Sequence, residues 1–586
     1  MNKNRSLAFW SYSGASESRS VAMQIAPVAE RRAALDAEYP EWMPLTLHGA
    51  LDQAAGRHGE RPFIITDDRG WSYAELVAWS KRLAAGLQRK GVQPGEKVAI
   101  ILANYPEYVA LKYAVSRIGA VAVPINILNR RDELRYLLEQ SDAVLLVTMD
   151  CFRGNNYLEA LDDIAPGWTE HAGGDALPLL RRIILFETGE VAARKGTTKF
   201  AALHHPAEPA EPVVEPSALC DLIYTSGTTG PPKGVMLTHD MLARTGFGAA
   251  YGRAFEDGRR IIFSLPMFHV FGYLEGMLAV SWVGGAIIPQ LRFDAAETLR
   301  AIQRHRATDA LLIPVMSLAL IDAARAESFD LVSLRFALAS GGRAPERVWQ
   351  ALHNVLGVAE ITTGYGMTET TASATVTRPD DPLERLLTTN GRPRDVGAAG
   401  HGGPDGRLVV YEVRDPHSGQ ALPSGQIGEL VARGPGVTKG YYNKPEATAA
   451  AFTPDGWLRT GDLGTIDADG YISLVGRLKE SYRCGGEQVL PTEVEDLLTT
   501  HPDVLQAHVV PIPDERMGEV GVAFVVPRSG AQLDREQLLA LVSGRLARFK
   551  VPRHLLIVSE HDIPTTASGR AQKFHLSRQA IEMIGS

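Results

Sequence analysis

The chain has 586 residues, with 60 Lys+Arg against 68 Asp+Glu, a formal net charge of −8, and 45% hydrophobic and 22% charged residues. That balance excludes global disorder and a collagen-like or coiled-coil fibre, and it argues against nucleic acid as the main partner. At roughly 150 residues per domain the length implies about four folding units, large enough to bury their cores without disulfide or metal staples.

Residues 1–43 read as a loose N-terminal extension with one helix near 29–35, and they lack the apolar core of a secretory signal. Cys151, Cys220 and Cys484 show neither CxxC nor Cys/His spacing, so no zinc site or disulfide framework is expected and a reducing cytoplasm fits best. From residue 97 the chain alternates: an apolar run at 98–102, a turn and helix cap at 104–107, helical spacing over 107–117 stopped by Gly119, and a second apolar run at 120–124. Doubly buried strands separated by helices mark a parallel α/β sheet. The same pattern predicts strands at 143–148, 182–186, 261–265, 286–289, 310–314 and 336–339, and helices at 295–305 and 347–356. The longest apolar stretch, 270–288, is broken by Glu275, Gly276, Gly284 and Gly285, so no membrane span is expected. Residues 207–216, rich in Pro and Glu, read as a loop. Over 408–431 alternating strands with Gly and Pro turns predict a β-rich unit, and after the charged turn at 476–480 a compact α+β segment follows, with helices near 491–500 and 535–546.

Within residues 222–235 a buried strand feeds Thr225, Ser226, Gly227, Thr228, Thr229 and Gly230, and then Lys233. Bare glycine amides, hydroxyls and a lysine suit phosphate oxygens. The spacing does not fit G-x-x-x-x-G-K-[ST], because Lys233 is followed by Gly234. Composition alone also allows a plain surface loop. The segment resembles the signature loop of the adenylate-forming superfamily, which comprises acyl-CoA synthetases, peptide-synthetase adenylation domains and luciferases. Ser340-Gly341-Gly342, Tyr365-Gly366-Met367-Thr368-Glu369-Thr370, the segment from Trp457 through Asp462, Gly476-Arg477 and Gly485-Gly486-Glu487 follow in that family's order. The resemblance covers about residues 44–576 and points to the acyl-CoA synthetase branch.

The resemblance implies an α/β fold: a large N-terminal body of two doubly wound α/β subdomains and a β-rich subdomain, with a small mobile α+β C-terminal domain. It divides the chain into an AMP-binding large domain at 44–476, a hinge at 477–480 and a mobile domain at 481–586. It also implies two half-reactions: a carboxylate attacks the α-phosphate of ATP to give an acyl-adenylate, and the CoA thiol then attacks that mixed anhydride. ATP or acyl-adenylate, CoA and Mg2+ are the expected ligands. By resemblance, residues 225–230 and Lys233 hold phosphates, Thr368 contacts the α-phosphate and Glu369 binds the metal. Tyr365, flanked by Gly366 and Met367, packs on adenine beside Gly341, Gly342 and Arg343. Asp462 takes the ribose hydroxyls, with Arg477 alongside. Taken singly, Asp462 could cap a turn, Glu369 a helix, and Tyr365 fill a core. Phe268 and His269 match the element lining the acyl and pantetheine route, and the helix after it offers Tyr273, Gly276 and Met277 as acyl-pocket walls, which favours a hydrophobic carboxylic acid. Lys479 takes the hinge position, and Gly485, Gly486 and Glu487 the CoA-facing turn. The flanking residues 481–484 depart from the apolar run usual there.

The departure with chemical consequence is Arg570, where the family carries the lysine that serves adenylation. Arginine keeps the charge but replaces a compact ammonium with a planar fork. Lys573 matches a different basic position, three residues on. Impaired adenylation would leave transfer from a preformed acyl-adenylate, supplied by a separate adenylating ligase. The alternatives are a full two-step ligase, a carrier-protein-loading ligase and a catalytically dead binder of acyl-adenylate. The ten residues after Leu576 hold no carrier domain, which favours CoA. Arg570 on this framework is also similar to synthetases of platensimycin/platencin-type diterpenoid clusters. A homodimer is compatible with all of these readings.

Overall fold

The computed structural model describes residues 25–225, 231–341, 344, 346–400, 406–566 and 571–584. Two seven-stranded sheets dominate the body. One runs, in spatial order, Lys233–Thr238, Leu219–Thr225, Val121–Pro124, Lys97–Ile101, Ala143–Met149, Arg182–Phe186 and Thr197–Lys199. It is parallel except for the hairpin pairing Thr225 with Lys233. The other runs Glu360–Thr362, Phe336–Ala339, Asp309–Leu312, Arg260–Phe263, Ala286–Pro289, Pro62–Ile65 and Gly70–Ser72. Ala143–Met149 and Phe336–Ala339 are buried along their whole length, as strands sandwiched between helical layers must be. Two antiparallel sheets follow: Gly364–Met367, Ala372–Val376 and Arg392–Pro393, then Val410–Arg414, Gly428–Arg433, Leu458–Ile466 and Ile472–Arg477.

From Tyr482 on, a separate apolar core forms around Gly518–Pro527, which pairs with Val504–Asp514, Tyr482–Cys484 and His554–Ile557. Helices Pro491–Thr499 and Lys573–Ile584 cover this sheet. Among the described residues no helix is long and apolar enough to cross a membrane.

Several boundaries moved for physical reasons. The strand expected at 310–314 ends at Leu312, because Pro314 opens the helix Pro314–Ala326, where its missing N–H costs nothing. The helix expected near 29–35 spans Val28–Glu38 and is not loose. Leu35 is buried, and Arg31 donates to Ala254 O at 2.6 Å and to Glu360 Oε1 at 2.5 Å. The helix Pro106–Arg117 takes Tyr105, inside the expected 104–107 turn, as its N-cap. The Asn104 amide donates to Leu265 O at 3.0 Å, while its Oδ1 accepts from Met267 N at 2.9 Å.

Candidate active site

The hairpin Gly364–Met367/Ala372–Val376 carries the centre of the site at its turn, Thr368–Thr370. Gly364 and Gly366 permit the tight pairing: a Cβ on Gly366 would lie 1.7 Å from Ala372 O. The turn exits through Thr371 at φ +56° and Ala372 at φ +73°, both left-handed and buried, a strain that only rigid surroundings sustain. Ser340 Oγ ties the end of strand Phe336–Ala339 to this hairpin by donating to Gly364 O at 2.6 Å, and Gly341 follows at φ +92°.

On one side of the hairpin lies the nucleoside end. The buried Tyr365 hydroxyl donates to Asp462 Oδ2 at 2.7 Å, and Arg477 Nε sits 2.8 Å from Asp462 Oδ1. Burial first, then the Asp462 charge, drives the Tyr365 phenol well above its usual range. Asp462 pairs with Arg477 across the last two strands of the four-stranded sheet, so strand register brings them together.

On the other side Glu369 is buried and its Oε1 accepts from the Tyr441 hydroxyl at 2.9 Å, while Lys233 Nζ stands 4.8 Å from the Tyr441 ring centre. Burial raises the Glu369 carboxyl above its ordinary range, opposed by Tyr441, Arg477 and Lys233. Tyr441 was not legible in the sequence. Residues 440–442 add to the Lys233–Thr238 strand through Met236 N to Gly440 O at 3.2 Å and Tyr442 N to Gly234 O at 2.9 Å. The only local signal was an aromatic pair following Lys439-Gly440. Thr225 and Lys233 flank the expected phosphate loop as paired strand ends; Ser226 to Gly230 lie outside the described residues, as do Gly342, Arg343 and Arg570.

His269 Nδ1 accepts from Phe271 N at 3.3 Å, and burial brings its pKa down to about 4, so the ring is neutral at physiological pH. The following segment Phe271–Leu278 has wide π-helical turns, a geometry that recurs at functional sites. Phe268, Tyr273 and Met277 are buried; Tyr273 faces Lys112, whose Nζ lies 4.7 Å from the ring centre. Gly276 abuts Phe263, which a Cβ would approach to 2.7 Å. Lys479 lies in the turn after Ile472–Arg477 and is exposed. Gly485, at φ +62°, Gly486, at φ +89°, and Glu487 form an exposed turn between two short strands. The structure therefore gathers Tyr365, Glu369, Lys233, Asp462 and Arg477 around one hairpin.

A family model described as AMP-binding enzyme matches residues 51–442, and one described as AMP-binding enzyme C-terminal domain matches residues 493–570. A Mycobacterium tuberculosis protein named 3-[(3aS,4S,7aS)-7a-methyl-1,5-dioxo-octahydro-1H-inden-4-yl]propanoyl:CoA ligase is 35% identical over 535 residues, covering 90% of this chain and 97% of its own. The indoleacetate–CoA ligase of Aromatoleum aromaticum is 34% identical over 533 residues, 89% and 96% of the two chains. Among solved structures, ATP-bound MatB from Rhodopseudomonas palustris superposes with a TM-score of 0.78 at 27% identity, covering 92% of this chain and all of the other. These relatives lend no support to the likeness with diterpenoid-cluster synthetases.

Proposed function

The chain belongs to the AMP-binding enzyme family and is an acyl-CoA ligase that works through an acyl-adenylate; from that premise we propose that its acid is hydrophobic and that Arg570 makes adenylation the weak half of its reaction. The observation that carries this is the engagement of Lys573, the basic residue three positions after Arg570 in the sequence. Lys573 Nζ is held 2.7 Å from Glu495 Oε1 and 3.1 Å from Glu480 Oε2. Burial would lower its pKa, but Glu495 and Glu480 outweigh it and raise it, so Lys573 stays charged and occupied. Lys573, the lysine three positions on in sequence, is thus already paired and supports the reading that it does not stand in for the missing lysine.

In this reading Tyr365 and Asp462 hold the nucleoside, the latter through oxygens that still carry free lone pairs. Lys233 and residues 225–230 neutralise phosphate charge. Neutral His269 and Phe268 shape the acyl entrance, and Gly485-Gly486 admits the pantetheine arm once the domain beyond Lys479 has turned. Glu369, a buried carboxylate in the Thr368–Thr370 turn, is the residue that would hold a Mg2+ ion. When bound, that ion would offset charge on the phosphates. The relatives' names support a hydrophobic acid: one carries a methyl-dioxo-octahydroindenyl propanoyl group, the other indoleacetate. Those relatives equally support a full two-step ligase in which Arg570 substitutes.

A paired assay decides between them. Thioester formation from synthetic acyl-adenylates should exceed pyrophosphate release from ATP and the matching acids by at least ~100-fold, the scale of a 1 Å misplacement. Arg570→Lys should raise pyrophosphate release by about 10- to 100-fold while leaving transfer to CoA unchanged. Rapid pyrophosphate release by the native chain would sink the split and establish the two-step reading.

A further inference from the structure

Beside the hairpin of Leu219–Thr225 and Lys233–Thr238 stands the helix Arg131–Gln140, for which the reaction so far has no use. Leu134, Leu137 and Leu138 bury one face of this helix, and Tyr136 and Gln140 stand one turn apart on it. Both reach the backbone around Lys233. The Tyr136 hydroxyl donates to Pro232 O, the carbonyl just before Lys233, at 2.9 Å. Gly234 O, the carbonyl just after it, accepts from Tyr442 N at 2.9 Å, and Gln140 Nε2 in turn donates to Tyr442 O at 2.8 Å. The other end of the Gln140 amide, Oε1, accepts from the Tyr224 hydroxyl. Only this orientation of the amide satisfies both partners, since Tyr442 O can accept but not donate. Tyr224 pairs with Gly234 across the hairpin and its ring lies against that residue, where a Cβ would come 3.1 Å from Tyr224 Cζ. One side chain thus ties the strand end next to Thr225 to the segment of Tyr441, which holds Glu369. The Tyr442 hydroxyl is fixed as well, donating to Asp142 Oδ2 at 2.8 Å just beyond the helix.

We propose that Gln140 is a positioning residue for the nucleotide's phosphates: it touches no substrate, but it holds the backbone that sets where the Lys233 ammonium meets phosphate oxygens. Tyr136 braces Pro232 from the same helix. The inference rests on the reading above that Lys233 neutralises phosphate charge. A lysine is a point charge on a flexible four-carbon stem, so its placement is only as good as the backbone it starts from. Here the carbonyls on both sides of Lys233 are held by the one helix, directly through Tyr136 and through Tyr442 by way of Gln140. The nucleoside end depends on Tyr365 and Asp462, which this frame does not touch. Loss of the brace therefore weakens ATP, which brings the most phosphate charge to Lys233, far more than AMP.

The test measures the dissociation constants of ATP and of AMP, with Mg2+ in excess, by calorimetry on the full chain. No acid or CoA is added, so a weak adenylation step does not enter. Gln140→Leu should weaken ATP by about 10-fold, the scale of one hydrogen bond to a charged group, and AMP by less than about 2-fold. Tyr224→Phe, which removes a single oxygen from the frame, should weaken ATP by about 3-fold and leave AMP unchanged. In a Lys233→Met background Gln140→Leu should add nothing to the loss for ATP, because it acts through the lysine, whereas a merely structural role would add the same loss in both backgrounds. Equal losses for ATP and AMP, a loss that persists in the Lys233→Met background, or unchanged ATP binding by Gln140→Leu would each overturn the proposal while leaving Lys233 as a phosphate contact. Should Gln140→Leu fail to fold, Tyr224→Phe decides by the same comparisons. If Lys233→Met itself binds ATP as tightly as the native chain, the phosphate reading and this inference fall together.

Discussion

His239 shows what a single buried side chain contributes. It is fully buried, its Nδ1 accepts from Leu47 N at 3.2 Å, and its Nε2 has no partner among the described residues. Burial, reinforced by His48 and Lys112, takes its pKa down to about 3. An unfolded histidine binds its proton near pH 6.5 and the folded one does not, so the unfolded chain holds more protons between those values. Stability is therefore fully present above about pH 6.5 and falls as pH drops toward 3, by about 1.4 kcal/mol per pH unit from this group. Melting curves between pH 7.5 and 5 should show that slope, and His239→Asn, which keeps an acceptor near Leu47, should flatten it; an unchanged slope would assign acid sensitivity elsewhere. Side chains of this kind are hardly legible in a sequence. His269 was visible because it stands in a recognisable motif, whereas His239 was not, because its environment is supplied by Leu47 and Ser116 from other parts of the chain.

At the scale of elements, the hairpin that carries Glu369 depends on glycine for closeness rather than for flexibility. Gly366→Ala would drive a methyl into the Ala372 carbonyl, so it should abolish conversion of acyl-adenylates and lower the melting temperature by many degrees. Gly56→Ala, inside the helix Leu47–His58 with nothing within 4 Å of its Cβ, should instead stabilise by about 0.5–1 kcal/mol. Equal effects of the two changes, measured by thermal melts and thioester assay, would refute the packing argument. Strands and helices were largely legible because their periodicity is local: Arg182–Phe186, Ala286–Pro289, Phe336–Ala339 and Ala295–His305 lie where the apolar spacing places them. The misplacements arose where one residue's tertiary task overrode its local meaning. Pro314, read as the end of a strand, opens a helix instead. The helix expected to follow His269 is π-helical over Phe271–Leu278 and then tightens into a 3₁₀ turn.

For the whole molecule, Lys573 links the C-terminal helix to Glu480, which directly follows the proposed pivot, and to Glu495 on the helix Pro491–Thr499. Lys573→Met would leave two carboxylates facing each other with little solvent, and should cost about 2 kcal/mol in denaturant melts, partly restored by Lys573→Arg. No change in the melt would show that the C-terminal core holds without this link. The sequence by itself determined the order of folding units, the parallel α/β character of the body and the motif residues Glu369, Asp462 and Lys233. The α/β character is encoded locally in hydrophobic period, and the three motif residues were read from the resemblance that the ordered motifs carry. Only the tertiary structure decided that Tyr441 secures Glu369 from 72 positions away, and that Arg394 meets Glu275 across 119. A buried polar group must find its partner wherever the packed chain brings one, and that distance leaves no periodic trace in sequence.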